Sequence, residues 1–103
     1  MKLAWSAFAL SDRDAIFTFI EADNPSAAVL VDERIVAAAR RLMDFPASGR
    51  FGRIAGTREL VINGTPTVAA YPVTQSAVRI LRIRHGGQEW PDFIPTSFDR
   101  QEP

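Results

Sequence analysis

Cysteine is absent from this sequence, and histidine and lysine occur only once each. Without cysteine the chain can form no disulfide, has no thiolate nucleophile and lacks the strongest class of zinc ligand. His85 is the only imidazole, so we expect no metal site and no cofactor. No apolar run approaches the roughly 20 residues that a membrane span needs. The residues before Ser11 also lack the continuous apolar core of a signal peptide, so we expect a cytoplasmic protein.

The length and composition fit one folded domain. The chain has 103 residues, of which 47% are apolar and 23% are charged. This is the ordinary balance of a globular protein rather than of a disordered one. No repeat, low-complexity stretch or interdomain linker divides the sequence. We therefore predict a single domain over residues 1–103.

A net charge of zero conceals an uneven distribution along the chain. Residues 1–33 carry six acidic and two basic side chains, whereas residues 34–85 carry nine arginines and only Asp44 and Glu59 as acids. Arginine binds phosphate and carboxylate groups in a bidentate way. Two interpretations remain open. The middle segment binds an anionic partner, or the acidic N-terminal segment and the tail neutralise its arginines within the fold.

The first half of the chain predicts a short strand and two helices. Lys2–Ser6 alternates as a strand does, and Ser11 is a candidate N-cap for the first helix. Asn24 and Pro25 suit the N-cap and the first position of a second helix, which extends to about Asp44. So short a break between the helices predicts an αα-hairpin. One apolar stripe of the second helix is assigned to the core: Ala27, Val31, Ile35, Ala38 and Leu42.

The second half of the chain predicts a three-stranded antiparallel meander. Residues 45–56 are rich in glycine and are predicted to be a loop. Strands are predicted at Thr57–Ile62, Thr67–Val73 and Ala77–His85. Asn63-Gly64 indicates a hairpin turn, and Pro72 argues for an edge position or a bulge in the second of these strands. In the third strand both faces are part apolar and part basic, so the face that the helices cover stays open. The order of strand, helical hairpin, meander and polar tail predicts an α+β fold.

Several short segments, in this order and spacing, resemble the RelE/ParE family of bacterial toxins, and the ParE branch more closely. The segments that carry the resemblance are FPASGRFGR (Phe45–Arg53), GTRELVI (Gly56–Ile62), Tyr71, and RHG (Arg84–Gly86) followed by Trp90. The Asn24-Pro25 break before an alanine-rich helix also fits, and the match covers roughly residues 5–91. The resemblance implies a RelE/ParE-like domain that acts as the toxin of a type II toxin–antitoxin system and is held inactive by its antitoxin.

The two branches of the family imply different activities. ParE-type toxins, associated with plasmid stabilization, poison DNA gyrase by direct binding and need not be catalysts. Their partner is a ParD-like antitoxin in a hetero-oligomer, and operator DNA is bound only through that antitoxin. RelE-type toxins are endoribonucleases that cleave mRNA on the ribosome. We expect the gyrase inhibitor, with the nuclease as the alternative. A third hypothesis is an inert relative that only binds its antitoxin and helps to repress their operon.

A nuclease would depend on Arg58 and His85, which match positions that serve in RelE-type toxins. Cleavage by a 2′-hydroxyl needs a base, an acid and cations for the developing phosphorane charge. The loop has no lysine, the tail has no tyrosine, and we expect no carboxylate near Arg50 and Arg53. For the favoured function we therefore assign no catalytic residue and interpret His85 as a structural residue at a strand end.

Target binding is assigned to four arginines. Arg50 and Arg53 lie in the glycine-rich loop, which we expect to be exposed, and Arg58 and Arg82 lie on predicted strands. For Arg58, a role as an internal ion-pair partner remains an equal alternative. Trp90-Pro91 is expected to pack the tail onto the sheet rather than to contact a target.

Antitoxin binding is assigned to a second apolar side of the long helix. The residues on this side are Val29, Val36, Ala39 and Met43. A helix with more apolar surface than one sheet face can cover is a candidate docking surface. We expect an amphipathic antitoxin helix and its extended tail along the hairpin, with acidic antitoxin residues neutralising the arginines.

Overall fold

The chain folds into two helices and six strands over the residues that the structure describes. The structure is a computed structural model, and it describes residues 2–72 and 76–86. In chain order the elements are β1 (Lys2–Trp5), α1 (Ala7–Glu21), α2 (Pro25–Arg41), β2 (Arg50–Phe51), β3 (Thr57–Ile62), β4 (Thr67–Pro72), β5 (Ala77–Ile80) and β6 (Arg82–His85). The predicted α+β order is confirmed. The prediction for Trp90-Pro91 lies outside the described residues. Within the described ranges no helix is long and apolar enough to cross a membrane.

An antiparallel sheet in the order β2-β3-β4-β6 forms the centre of the molecule. β1 pairs in parallel with β5, and Leu3 lies opposite Val78. The sheet contains one strand more than the predicted meander, because β2 forms within the segment predicted to be a loop. In β2, Arg50 lies opposite Glu59 and Phe51 lies opposite Arg58.

The predicted third strand of the meander is interrupted at Leu81, and the interruption determines which face is apolar. The N–H of Leu81 donates to the carbonyl oxygen of Ala70, the residue that also pairs with Arg82. Two residues opposite one form a β-bulge, which shifts the alternation of side chains by one position. As a result, three residues of this segment join one core: Val78, Ile80 and Ile83. Strict alternation would have placed Ile83 on the face opposite to Ile80.

The first helix begins earlier than predicted. Its N-cap is Ser6, whose Oγ accepts a hydrogen bond from the N–H of Ala9 and donates one of 2.7 Å to the carbonyl oxygen of Leu81. The prediction that Ser11 caps this helix is wrong, because α1 starts at Ala7 after the fully buried Ser6 and Ser11 lies inside the helix. Asn24 caps α2 as predicted.

Pro72 does not mark an edge strand. β4 lies between β3 and β6, and Pro72 is its last residue, opposite Thr57. At a strand end the missing N–H interrupts no ladder, so a proline is tolerated in a central strand. The predicted hairpin between β3 and β4 is present, and its loop has the four residues 63–66 because Ile62 pairs with Thr67. Within that loop only Gly64 has a positive φ, of 76°.

The core lies between the two helices and the sheet. The stripe predicted for α2 is buried at Ile35 and Leu42, with Val31 and Ala38 packed against it. Tyr71 of β4 completes this core at 1% exposure.

Candidate target-binding surface

Three of the four arginines predicted to bind a target meet at one corner of the sheet. β2 places Arg50 and Phe51 beside Glu59 and Arg58 of β3, and Arg53 follows in the turn between the two strands. We call these five residues the arginine corner. Their proximity depends on the pairing of a strand only two residues long.

A buried carboxylate holds the arginine corner together. Glu59 Oε1 accepts a hydrogen bond of 3.2 Å from Arg50 Nη2, and Glu59 Oε2 accepts one of 3.1 Å from the backbone N–H of Arg53. The Glu59 side chain is 10% exposed and that of Arg50 is 58% exposed. The expectation that no carboxylate lies near these arginines is therefore wrong, because strand pairing brings Glu59 across from Arg50.

Arg58 turns toward the loop that precedes β2. Its Nη1 donates to the carbonyl oxygens of Gly49, at 2.7 Å, and Ala47, at 3.3 Å. Its guanidinium lies 4.5 Å from the ring centre of Phe51. Its Nε is buried without a hydrogen-bond partner among the described residues. Arg58 thus has partners within the fold. They are carbonyl groups and an aromatic ring, whereas the alternative to target binding had been an ion pair.

The single tyrosine fixes the same loop. Tyr71, opposite Arg58 on β4, donates a hydrogen bond of 2.7 Å to the carbonyl oxygen of Pro46 and accepts one of 3.0 Å from the N–H of Gly49. Burial raises the pKa of Tyr71 above its ordinary 10.0, against the opposing effects of the Gly49 N–H and of Arg58. A Cβ on Gly49 would lie 2.8 Å from this hydroxyl oxygen. Only glycine, which has no Cβ, therefore lets the loop approach Tyr71 this closely.

The arginine corner presents an aromatic ring and a cation to solvent. Phe51 is 82% exposed. The Arg53 side chain is exposed, with no hydrogen bond or ion pair of its guanidinium among residues 2–72 and 76–86. The turn that carries Arg53 is closed by a hydrogen bond of 2.8 Å from the N–H of Gly52 to the carbonyl oxygen of Thr57. Sequence reasoning did not select Phe51, although an aromatic residue between glycines and arginines was a visible signal.

Arg82 lies away from the arginine corner. Its Nε and Nη2 donate to the two carboxylate oxygens of Asp12 at 2.8 and 2.9 Å. Asp12 also accepts from the N–H of Ile83 at 2.9 Å. The Arg82 side chain is only 16% exposed. This pair connects α1 to β6, which agrees with the interpretation that acidic helix residues neutralise part of the arginines within the fold.

Arg58 and His85 do not come together in the structure. They flank β4 on opposite sides, Arg58 opposite Tyr71 and His85 opposite Thr67. From strand spacing and rise their Cα atoms are about 16 Å apart. The His85 ring meets the ring of Phe19 edge-on at 5.5 Å, so each side chain has its own local partners.

The four residues assigned to antitoxin binding differ in accessibility. Val29 is 48% exposed, and Val36 and Met43 are half-buried. Ala39 is 3% exposed and belongs to the core. Ala39 is therefore not accessible to a partner, because the helix turns it toward the sheet together with Ile35 and Leu42.

Comparison with known proteins identifies the family. Residues 3–90 match the profile of the ParE toxin of type II toxin–antitoxin systems, parDE. The chain belongs to the ParE toxin family. It is 41% identical over 93 residues to the candidate toxin Y4kP of Sinorhizobium fredii, covering 90% of this chain and 96% of that one. It is also 37% identical over 87 residues to toxin RelE2 of Caulobacter vibrioides, covering 84% and 97%.

A solved structure of another protein has a fold similar to that of this ParE-family toxin. A chain of the chromosomal ParDE toxin–antitoxin system from P. aeruginosa is similar with a TM-score of 0.75 and 28% sequence identity. The match covers 84% of this toxin and 96% of that chain. The resemblance drawn from short segments is confirmed, and the family implies an antitoxin as partner.

Proposed function

We propose that this toxin inhibits DNA gyrase by direct binding through the arginine corner, and that a ParD-like antitoxin silences it in a hetero-oligomer. The toxin acts in the cytoplasm, contributes to plasmid stabilization and reaches operator DNA only through its antitoxin. The observation that carries this proposal is the separation of Arg58 from His85. The two groups that a RelE-type nuclease would combine have different local partners in this fold.

A binding function agrees with the composition of the corner. An exposed aromatic ring beside an arginine is a frequent combination in residues that contribute most to protein–protein affinity. Phe51 and Arg53 are both exposed and lie two residues apart in a turn held by Glu59 and by the bond from Gly52 to Thr57. A pre-ordered turn loses little conformational entropy on binding. Arg50, more than half exposed, adds a second cation for an anionic surface of gyrase.

Gyrase inhibition by corner variants tests this proposal. Freed toxin is added to purified gyrase and relaxed plasmid, and supercoiled and cleaved DNA are scored. The variant Phe51→Ser/Arg53→Ala should need about tenfold more toxin, because it loses an aromatic anchor and a charge. Arg40→Ala removes an exposed charge from α2 and should leave inhibition unchanged.

Ribosome-dependent mRNA cleavage is the alternative outcome. If gyrase is unaffected by a large excess of toxin, and toxin with ribosomes cleaves mRNA, the gyrase proposal is refuted. Loss of that cleavage in Arg58→Ala and His85→Ala would assign the nuclease function to these residues. A toxin that stops neither gyrase nor translation, and that does not slow growth when expressed alone, would be the inert relative.

The antitoxin is proposed to contact the outer side of α2 through Val29, Val36 and Met43. Val29 and its neighbour Leu30 are each 48% exposed, so they form an apolar pair that no described part of the toxin covers. Val29→Asp should weaken antitoxin binding, while Ser26→Ala, one turn earlier on the exposed surface, should not. Equal affinities of both variants would remove this side of α2 from the antitoxin interface.

A further inference from the structure

Glu59 is an acidic residue at the centre of a surface that we assign to an anionic target. Its neighbour on β3, Leu60, packs against the core, so strand alternation places Glu59 on the opposite face of the sheet. The Glu59 side chain is nevertheless only 10% exposed, and glutamate is rarely buried unless it is paired. By its charge alone this carboxylate weakens the attraction of the arginine corner for an anion, so its role lies elsewhere.

The two carboxylate oxygens of Glu59 hold different parts of the arginine corner. Oε1 accepts from Arg50 Nη2 at 3.2 Å, and this partner is a side chain that is 58% exposed and can turn to solvent. Oε2 accepts from the backbone N–H of Arg53 at 3.1 Å. A hydrogen bond from a backbone N–H to a carboxylate is charge-assisted and roughly twice as strong as a neutral one. Oε2 therefore fixes the backbone, whereas Oε1 restrains only a side chain.

The turn between β2 and β3 depends on Glu59 at the position of Arg53. Three other hydrogen bonds close this turn, and all of them involve Thr57. Its carbonyl oxygen accepts from the Gly52 N–H at 2.8 Å, and its N–H and Oγ1 donate to the Ile54 carbonyl oxygen at 3.1 and 2.7 Å. Among the described residues, the bond to Glu59 is the only hydrogen bond of Arg53.

We propose that Glu59 is a positioning residue for the target, which fixes the backbone of Arg53 through Oε2 so that Phe51 and Arg53 are presented together. Glu59 itself does not touch the target. The inference rests on the proposed function, in which gyrase binds the arginine corner. The turn is ordered in the free toxin, so binding costs little conformational entropy. Without the bond only a fraction of the toxin has the turn in place, and the apparent affinity falls by that fraction.

Two variants that remove the same negative charge separate positioning from charge. Glu59→Gln keeps one oxygen for the N–H of Arg53 and gives up only the acceptor of Arg50, whereas Glu59→Ala loses both. Gyrase affinity should stay within about threefold of the original for Glu59→Gln and fall at least about tenfold for Glu59→Ala. If charge decided, both variants would bind an anionic target at least as tightly as the original toxin. Equal affinities of the two variants would therefore overturn the proposal.

The rates of gyrase binding separate positioning from direct contact. A loosened turn lowers the fraction of competent toxin, so Glu59→Ala should slow association about tenfold and leave the dissociation rate within about twofold of the original. Phe51→Ser/Arg53→Ala removes side chains that we assign to the contact and should instead speed dissociation. If Glu59→Ala dissociates faster and associates at the original rate, Glu59 contacts gyrase and the positioning role is refuted.

Two further variants control for stability and charge. Asp12→Ala removes another carboxylate that accepts from an arginine and a backbone N–H, and gyrase affinity should be unchanged wherever circular dichroism shows it folded. An equal loss in Asp12→Ala and Glu59→Ala would contradict positioning, because lost stability would explain both. Gly52→Ala drives a Cβ against Thr57 Oγ1 and to 3.0 Å from the Thr57 carbonyl oxygen, so it should lower affinity about tenfold without a change of charge. If Glu59→Ala does not fold, Gly52→Ala decides, and original affinity in it refutes the proposal.

Amide hydrogen exchange in the free toxin tests the positioning without gyrase. The Arg53 amide should exchange at least about tenfold faster in Glu59→Ala than in the original toxin, and within about threefold of the original in Glu59→Gln. Equal exchange in all three proteins would overturn the proposal even if gyrase binds. If the original toxin does not bind gyrase, the proposed function fails, and growth arrest on expression then replaces affinity as the readout. Equal arrest by Glu59→Ala and Glu59→Gln would refute the positioning role separately.

Discussion

Removing one hydroxyl group, in Tyr71→Phe, should destabilise the toxin and loosen the loop that leads to the arginine corner. The hydroxyl is the acceptor for the Gly49 N–H and the donor to the Pro46 carbonyl oxygen. Gly49 is itself buried, so water cannot readily replace the lost acceptor. The variant keeps the aromatic ring, which leaves the packing of the core unchanged.

The expected loss follows from these two bonds. A buried donor left without an acceptor costs about 1–3 kcal/mol, so we expect the free energy of unfolding to fall by about 2 kcal/mol. For a domain of about 100 residues this lowers Tm by about 10 °C. Ser26→Ala removes an exposed hydroxyl from α2 and should change the free energy of unfolding by no more than about 0.5 kcal/mol.

The pH dependence supplies a second signature of the same group. Burial raises the pKa of Tyr71 above 10.0 in the folded protein. Above pH 10.0 the unfolded chain loses this proton while the folded chain keeps it, so stability should fall as the pH rises until the folded tyrosine also ionises. Tyr71→Phe should lack this part of the alkaline loss.

Thermal unfolding followed by circular dichroism, from neutral pH to above pH 10.0, measures both effects. Tyrosinate absorbance reports Tyr71 alone, since the chain has one tyrosine. The reasoning is refuted if Tyr71→Phe melts at the original Tm, or if it loses the same stability as the original toxin in alkali.

Three further predictions concern stability. Asp12→Ala removes the carboxylate that accepts from Arg82 and from the N–H of Ile83, and urea unfolding should show a loss of about 3 kcal/mol. Gly49→Ala forces a Cβ against Tyr71 and should cost about 1–3 kcal/mol by the same assay. Phe51→Ser/Arg53→Ala changes two exposed side chains and should shift stability by about 0.5 kcal/mol or less. Unchanged midpoints in the first two, or a large shift in the third, would contradict these assignments.

The helical hairpin could be predicted because its signals are local. Asn24 and Pro25 specify the start of α2 by their own side chains. The start of α1 was not predicted, because the N-cap Ser6 is held in place partly by a hydrogen bond to Leu81, which is far away in the sequence. The bulge at Leu81 escaped prediction for the same reason. The position of the bulge depends on Ala70 in β4, which accepts from the N–H of Leu81. The bulge brings Ile83 into the same core as Val78 and Ile80.

The arginine corner shows the same division between local and long-range signals. The sequence assigned Arg50, Arg53, Arg58 and Arg82 to target binding. It did not show that only the first three lie together, or that Glu59 lies among them. A two-residue strand in a glycine-rich loop has no periodic signal of its own. The loop that precedes β2 is held by Arg58 and Tyr71, which lie far from it in the sequence. Strand alternation likewise could not show that Arg82 is paired with Asp12.

Direct measurement of gyrase binding by immobilised, antitoxin-free toxin tests the central claim most directly. We predict saturable binding that is about tenfold weaker for Phe51→Ser/Arg53→Ala, unchanged for Arg40→Ala, and abolished when the antitoxin is bound first. No binding of gyrase, or equal affinity of the corner variant and the original toxin, would contradict the claim that this toxin acts on gyrase through the arginine corner.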